Sequence, residues 1–307
     1  MGSILKMSQT IIFSGDSFTW GQGLWSYCPT NLNVPTVDDY LNGHPIPDVA
    51  QDFRENNRFA DKVARHFNCE SVIKRYNGGT DEESIRFIDF VKNNYVNKYS
   101  LLTENVVWDD VQLCVFQTTQ LYRSSFYFKY KEKDYRIFSE PSLIGNFDRL
   151  EHIKIDKNGD HPKILKETKN CDIFIDWLID NDLTPERFEQ IHSKYMMNMI
   201  KTKLKWLEKK HNIPTLILCW TDEYLKEISN NPWISKRLVK INFDGIDYEC
   251  IHHLFEKKPE MVIAHDPSLL HKSGTDGHPS LVCHKHIANS IINKIVTDKL
   301  INKESII

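Results

Sequence analysis

Short apolar runs alternate with helix-patterned stretches through the first third of the chain, and that alternation narrows the fold more than any other feature. Ile11-Ile12-Phe13 reads as a buried strand that breaks at Gly15 and presents Asp16 and Ser17 at its end. Residues Asn57 to Phe67 carry apolar positions at helical spacing, with Asn56 or Asn57 as the expected cap. Ser71 to Tyr76 is a second strand, and Asn77-Gly78-Gly79-Thr80 turns it into a helix expected over Asp81 to Tyr95. Val111 to Phe116 is a third strand. Strand, helix, strand, helix, strand implies a parallel sheet joined by right-handed crossovers.

The rest of the chain elaborates this core. Phe126 to Phe138 has the pattern of an inserted β-hairpin, with Lys131 to Asp134 as its connection. A short helix is expected from Cys171 to Ile179. Thr184-Pro185-Glu186 opens a long helix with a cap, a first-turn proline and a first-turn acid. Its inward stripe reads Phe188, Ile191, Tyr195, Met196, Met199, Ile200, Leu204 and Leu207. Pro214 to Trp220 is a buried strand, Leu238 to Phe243 another candidate, and Cys250 to Lys257 a helix. A terminal helix starts near Pro279. The polar, proline-containing stretch from Trp25 to about Asp52 lacks periodicity and reads as an irregular loop near the first strand's end.

Bulk properties remove several classes of function. With a net charge of −3 over 307 residues, nothing argues for nucleic acid or an anionic membrane surface as the partner. No apolar run approaches a membrane span, and the first ten residues lack the apolar core of a signal peptide, so a cytoplasmic location is expected. Seven cysteines without a CxxC pair suit reduced thiols better than a disulfide frame or a zinc site. Gly21 and Gly23 form only a GxG, short of a dinucleotide fingerprint.

Serine-based acyl transfer needs a hydroxyl, an imidazole to take its proton, a carboxylate to hold that imidazole, and donors for the oxyanion. Ser17 sits where ligands gather in open α/β sheets, just past the carboxyl end of a strand. At the other end of the chain Asp276-Gly277-His278-Pro279-Ser280 precedes the last helix and supplies a carboxylate and an imidazole. Each segment also has a plain structural use, as a tight turn or as a helix cap.

Gly15-Asp16-Ser17-Phe18-Thr19, Asn77-Gly78-Gly79-Thr80 and Asp276-Gly277-His278-Pro279-Ser280 together resemble three of the four blocks of the GDSL or SGNH hydrolase superfamily. That resemblance implies a flavodoxin-like three-layer α/β/α sandwich around a central parallel sheet. It would form a single domain over residues 8–300, with insertions around 25–55 and 124–170 that include the hairpin. It further implies Ser17 as nucleophile, His278 as base and Asp276 as its orienting carboxylate. The oxyanion would be held by the Ser17 and Gly78 N–H groups and by whatever stands at the third block's asparagine. Here the third strand ends in Gln117-Thr118-Thr119-Gln120 in place of Gly-x-Asn-Asp, which puts Thr119 at that position. Asp276 and His278 are spaced by two, where the family spaces them by three.

The implied activity is hydrolysis of a small-acyl or carbohydrate O-acetyl ester with no cofactor and no metal. The partner would be a small-molecule or glycan ester, and the alternative is an inactive sandwich that binds a glycan or another ligand. Asp16, Arg58 and Arg123 are candidate substrate contacts, with a surface salt bridge as the alternative for either arginine. His284 is a second candidate base, although its place on the apolar stripe of the last helix suits a structural role.

Overall fold

The structure, a computed structural model, describes residues 9–28, 47–73, 80–93, 106–121, 125–138, 173–174, 176–269 and 277–301. Its first strand, β1 (Thr10–Ser14), is buried at every position, as its unbroken apolar run requires. A single helical turn, α1 (Ser17–Trp20), follows it, and then α2 (Asp48–Asn57), α3 (Phe59–His66) and β2 (Glu70–Ile73). The chain continues with α4 (Asp81–Lys92), β3 (Val111–Gln117) and an antiparallel hairpin, β4 (Ser125–Tyr130) with β5 (Lys133–Phe138). The long helix α5 (Pro185–His211) leads into β6 (Thr215–Leu218), and two short helices follow, α6 (Leu225–Ser229) and α7 (Pro232–Ser235). A small ribbon of β7 (Ile241–Phe243) and β8 (Ile246–Tyr248) precedes α8 (Ile251–Lys257) and the last helix α9 (Leu281–Asp298).

The central sheet has the order β2-β1-β3-β6, all parallel. Past β6 the sheet is extended by one parallel bridge, Ile217 to Leu238. Alternate side chains go to opposite faces of a strand, and the two hydrophobic clusters divide accordingly. Ile11, Phe13, Leu113, Val115, Leu216 and Leu218 join α3, α8 and α9. Ile12, Cys114, Phe116, Ile217 and Cys219 join α4 and α5. This α/β arrangement, with helices on both faces of a parallel sheet, is compatible with a three-layer α/β/α fold. Chain order reverses between β1 and β3, so the crevice at their carboxyl ends is the natural ligand position.

Several elements differ from the sequence reading. The stretch read as an irregular loop contains a 3-10 turn at Leu24–Tyr27 and the helix α2. The helix α2 escapes a hydrophobic-pattern search because its buried residues are only Ala50 and Arg54, with the Arg54 guanidinium 3.7 Å from the centre of the Trp20 ring. Neither Asn56 nor Asn57 caps α3; Arg58 occupies that position without a side-chain bond, and Asn57 donates to the Phe53 carbonyl. On α5 the stripe is rotated. Ile191 and Tyr195 are exposed while His192 and Met197 are buried. Leu238 makes only the isolated bridge, and Ile241–Phe243 pairs within its own ribbon. The hairpin connection is tighter than expected, two residues long, with Lys131 and Glu132 both at positive φ. Phe128 packs there with Phe174, Leu178 and Phe188 in a separate small cluster.

Candidate active site

Asp16 is the cap that converts the end of β1 into α1, its side chain accepting the Phe18 N–H at 3.0 Å. Ser17 is thereby the first residue of a helical turn, which closes at Gly21 with φ +77°. Only glycine is relaxed there, and an added Cβ would also lie 2.8 Å from Arg58 Cβ. The same carboxylate oxygen of Asp16 accepts from Gln117 Nε2 at 2.7 Å, while Gln117 Oε1 accepts from Thr19 Oγ1 at 2.6 Å. The last residue of β3 therefore grips the turn on both sides of Ser17.

His278 is held by a separate device. The Ile263 N–H donates to the His278 carbonyl at 2.9 Å, and the Ser280 N–H donates to the Met261 carbonyl at 2.7 Å, flanking an antiparallel bridge of Val262 with Pro279. Ser280 then caps α9 by accepting the Cys283 N–H. A further link ties the segment after Ser17 to this region: the Tyr27 hydroxyl donates to Asp266 at 2.6 Å. Burial, foremost, and the Asp266 carboxylate push the Tyr27 phenol well above its ordinary range.

These supports bring His278 Nε2 to 2.8 Å from Ser17 Oγ, across a separation of 261 residues. Ser17 is 3% exposed and His278 half-buried, so the pair is recessed. Phe18 meets the His278 ring edge-on at 5.2 Å between centroids, and Trp220 packs on Phe18 at 3.7 Å. Such apolar walls lower the local dielectric and strengthen the serine–imidazole hydrogen bond.

Thr119, two residues past the end of β3, is buried. Its N–H donates to Asp81 Oδ1 at 3.0 Å, and its hydroxyl has no hydrogen-bond partner among the described residues. Asp81 also accepts from the Tyr224 hydroxyl at 2.6 Å, and burial, as the largest cause, raises its carboxyl to about 8. Thr118 instead ties β3 to β6, donating its N–H to the Leu218 carbonyl and accepting the Trp220 N–H on its hydroxyl.

The other sequence candidates fall elsewhere. Arg58 forms an ion pair with Asp61, and the pair is largely buried, with the side chains 10% and 14% exposed. His284 accepts the Phe59 N–H on Nδ1 at 3.2 Å and stacks on the Phe59 ring. Burial lowers its pKa to about 3, so it is a neutral strut between α3 and α9. Asp276, Gly78 and Arg123 lie outside the described residues.

Sequence reasoning missed Gln117, Thr19, Asp81 and Tyr224 as neighbours of the site. The available signal was a polar residue closing an apolar strand at Gln117, and an acid one position into a helix at Asp81. Among the described residues no group of His, Cys, Asp or Glu is arranged to hold a metal ion. None of the helices described there is long and apolar enough to cross a membrane. No family model, curated protein or solved structure matches this chain.

Proposed function

We propose that this protein is a serine hydrolase of carboxylic esters, of the SGNH type that its motifs resemble. The observation that carries the reading is the 2.8 Å contact between Ser17 Oγ and His278 Nε2 at the carboxyl end of β1. With the imidazole proton on Nδ1, Nε2 accepts the Ser17 O–H and takes its proton as Oγ attacks the ester carbonyl. Collapse of the tetrahedral intermediate breaks the ester C–O bond, and His278 returns the proton to the departing alkoxide. Water, deprotonated by the same imidazole, then attacks the acyl-enzyme and releases the carboxylic acid and free Ser17. Asp276, two residues before His278, is the carboxylate assigned to hold the Nδ1 proton.

Oxyanion stabilisation is assigned to the Ser17 N–H, the Gly78 N–H and the Thr119 hydroxyl. Support for Thr119 comes from its buried hydroxyl, which has no partner among the described residues: an unpaired polar group costs about 1–3 kcal/mol, and a substrate oxygen is a partner that would recover it. The recessed nucleophile favours small acyl groups such as acetate, on an alcohol that can be a sugar.

Turnover of a chromogenic acetate ester tests the reading. Wild type is expected to hydrolyse it, with losses of about 10³-fold or more in Ser17→Ala and His278→Ala. Hydrolysis that survives undiminished in Ser17→Ala would remove Ser17 as the nucleophile. An inactive wild type that still retains glycans would favour the binding-protein alternative.

A further inference from the structure

We infer that Gln117 is a positioning residue, whose side-chain amide sets the place of Ser17 relative to His278. This rests on the serine-hydrolase reading above, but concerns a residue outside the nucleophile, base, carboxylate and oxyanion donors assigned there. Gln117 is the last residue of β3 and is 1% exposed. Its amide is used in both senses. Nε2 donates to Asp16 Oδ1 at 2.7 Å, and Oε1 accepts from Thr19 Oγ1 at 2.6 Å. Asp16 precedes the serine and Thr19 follows it by two, so one planar group spans the turn that carries Ser17.

All three participants are buried, with Asp16 at 0% and Thr19 at 2% exposure, so neither bond competes with water. Gly15 shows how closely the clamp is fitted. A Cβ there would sit 2.3 Å from Thr19 Oγ1 and 2.9 Å from Gln117 Cβ. The clamp and the glycine of the first motif are thus one packing unit, with no room for any larger residue at position 15. Gln117 also pairs with Leu218 in the sheet register, which references the nucleophile turn to β6 as well as to β1. A sheet-anchored amide fixes a turn more tightly than the turn's own cap does, because β3 lies between two strands. In the resembling motif this position is a glycine, which has no side chain to act in this way.

The test compares Gln117→Met, which keeps length and removes both hydrogen bonds, with Thr19→Val and Thr19→Ser, which remove and retain the hydroxyl. Thermal unfolding and circular dichroism report the fold. The ¹⁵N shifts of His278 report the Ser17–His278 hydrogen bond without any need for turnover, and the rate of modification by a fluorophosphonate reports reactivity. Gln117→Met is expected to stay folded, to shift the His278 Nε2 resonance, and to slow modification about tenfold or more, since small misplacements of a nucleophile are costly. Thr19→Val is expected to move both readouts in the same direction, and Thr19→Ser to stay close to wild type.

Should Gln117→Met fold with an unchanged His278 resonance and a modification rate within about twofold of wild type, the positioning role is wrong. If Gln117→Met does not fold, the Thr19→Val and Thr19→Ser pair decides by the same two readouts. A wild type that never reacts, combined with a His278 resonance that moves in Gln117→Met or Thr19→Val, would retire the hydrolase reading and leave the clamp standing.

Discussion

Asp81 is asked to do two things at once: it accepts the Thr119 N–H and the Tyr224 hydroxyl, and it does so with no exposure to solvent. Burial costs the ionised form most, and the Glu82 and Asp16 charges add to that, so the carboxyl holds its proton up to about pH 8 against 3.8 in a free side chain. A protonated Asp81 leaves the end of β3 without an extra negative charge where the reading places a developing oxyanion. The linkage sign follows from proton uptake. Between about 4 and 8 the native state binds a proton that the unfolded chain has released, so stability falls as pH rises through that window. His284 acts with the opposite sign below 6.5, since the unfolded imidazole binds a proton that the buried one refuses down to about 3. Above 6.5 the His284 contribution fades, and comparison with a variant at Asp81 separates the Asp81 part of the slope from the rest. Urea midpoints measured from about pH 6.5 to 8 are expected to decline in wild type and to decline less in Asp81→Asn, which removes the charge, still accepts the Thr119 N–H, and donates to the Tyr224 oxygen in place of accepting from it. Equal slopes in the two proteins would show that Asp81 is already ionised.

At the scale of elements, the turn α1 exists because a strand, a cap and a left-handed stop coincide within a dozen residues. Gly21 supplies the stop at φ +77°. Gly21→Ala is expected to lose about 1–3 kcal/mol in urea unfolding, from backbone strain and the close approach to Arg58 Cβ. A loss below about 0.5 kcal/mol would mean that the turn relaxes without strain. This turn was legible in the sequence because the apolar period stops abruptly at Gly15 and polar capping residues follow. The helix α2 was not legible, since a helix that buries one alanine and one arginine has almost no apolar stripe to detect. The phase of α5 was misread for a related reason. Counting apolar residues favoured Ile191 and Tyr195, whereas packing against the sheet and the hairpin cluster turns His192 and Met197 inward. Periodicity gives the existence of a helix more reliably than its rotation, which long-range contacts set. Gln117 shows the same limit at the site, because its partners Asp16 and Thr19 are 101 and 98 residues away.

Across the whole molecule, the carboxyl edge of the parallel sheet brings together two distant parts of the chain. The β1 end delivers Ser17, the β3 end delivers Gln117 and Thr119, and the segment before α9, pinned by Ile263 and Met261, delivers His278. The parallel sheet followed from alternating strand and helix signals, its strand order did not, and the pairing of Ser17 with His278 followed from motif resemblance. The distance between them is the structure's own contribution. The most direct measurement is labelling of the full-length protein by a fluorophosphonate probe, with the modified peptide identified by mass spectrometry. The account predicts a single adduct on Ser17, formed in wild type, absent in Ser17→Ala and slowed about 10³-fold or more in His278→Ala. An adduct on any other residue, or labelling of Ser17 at the wild-type rate in His278→Ala, would contradict it.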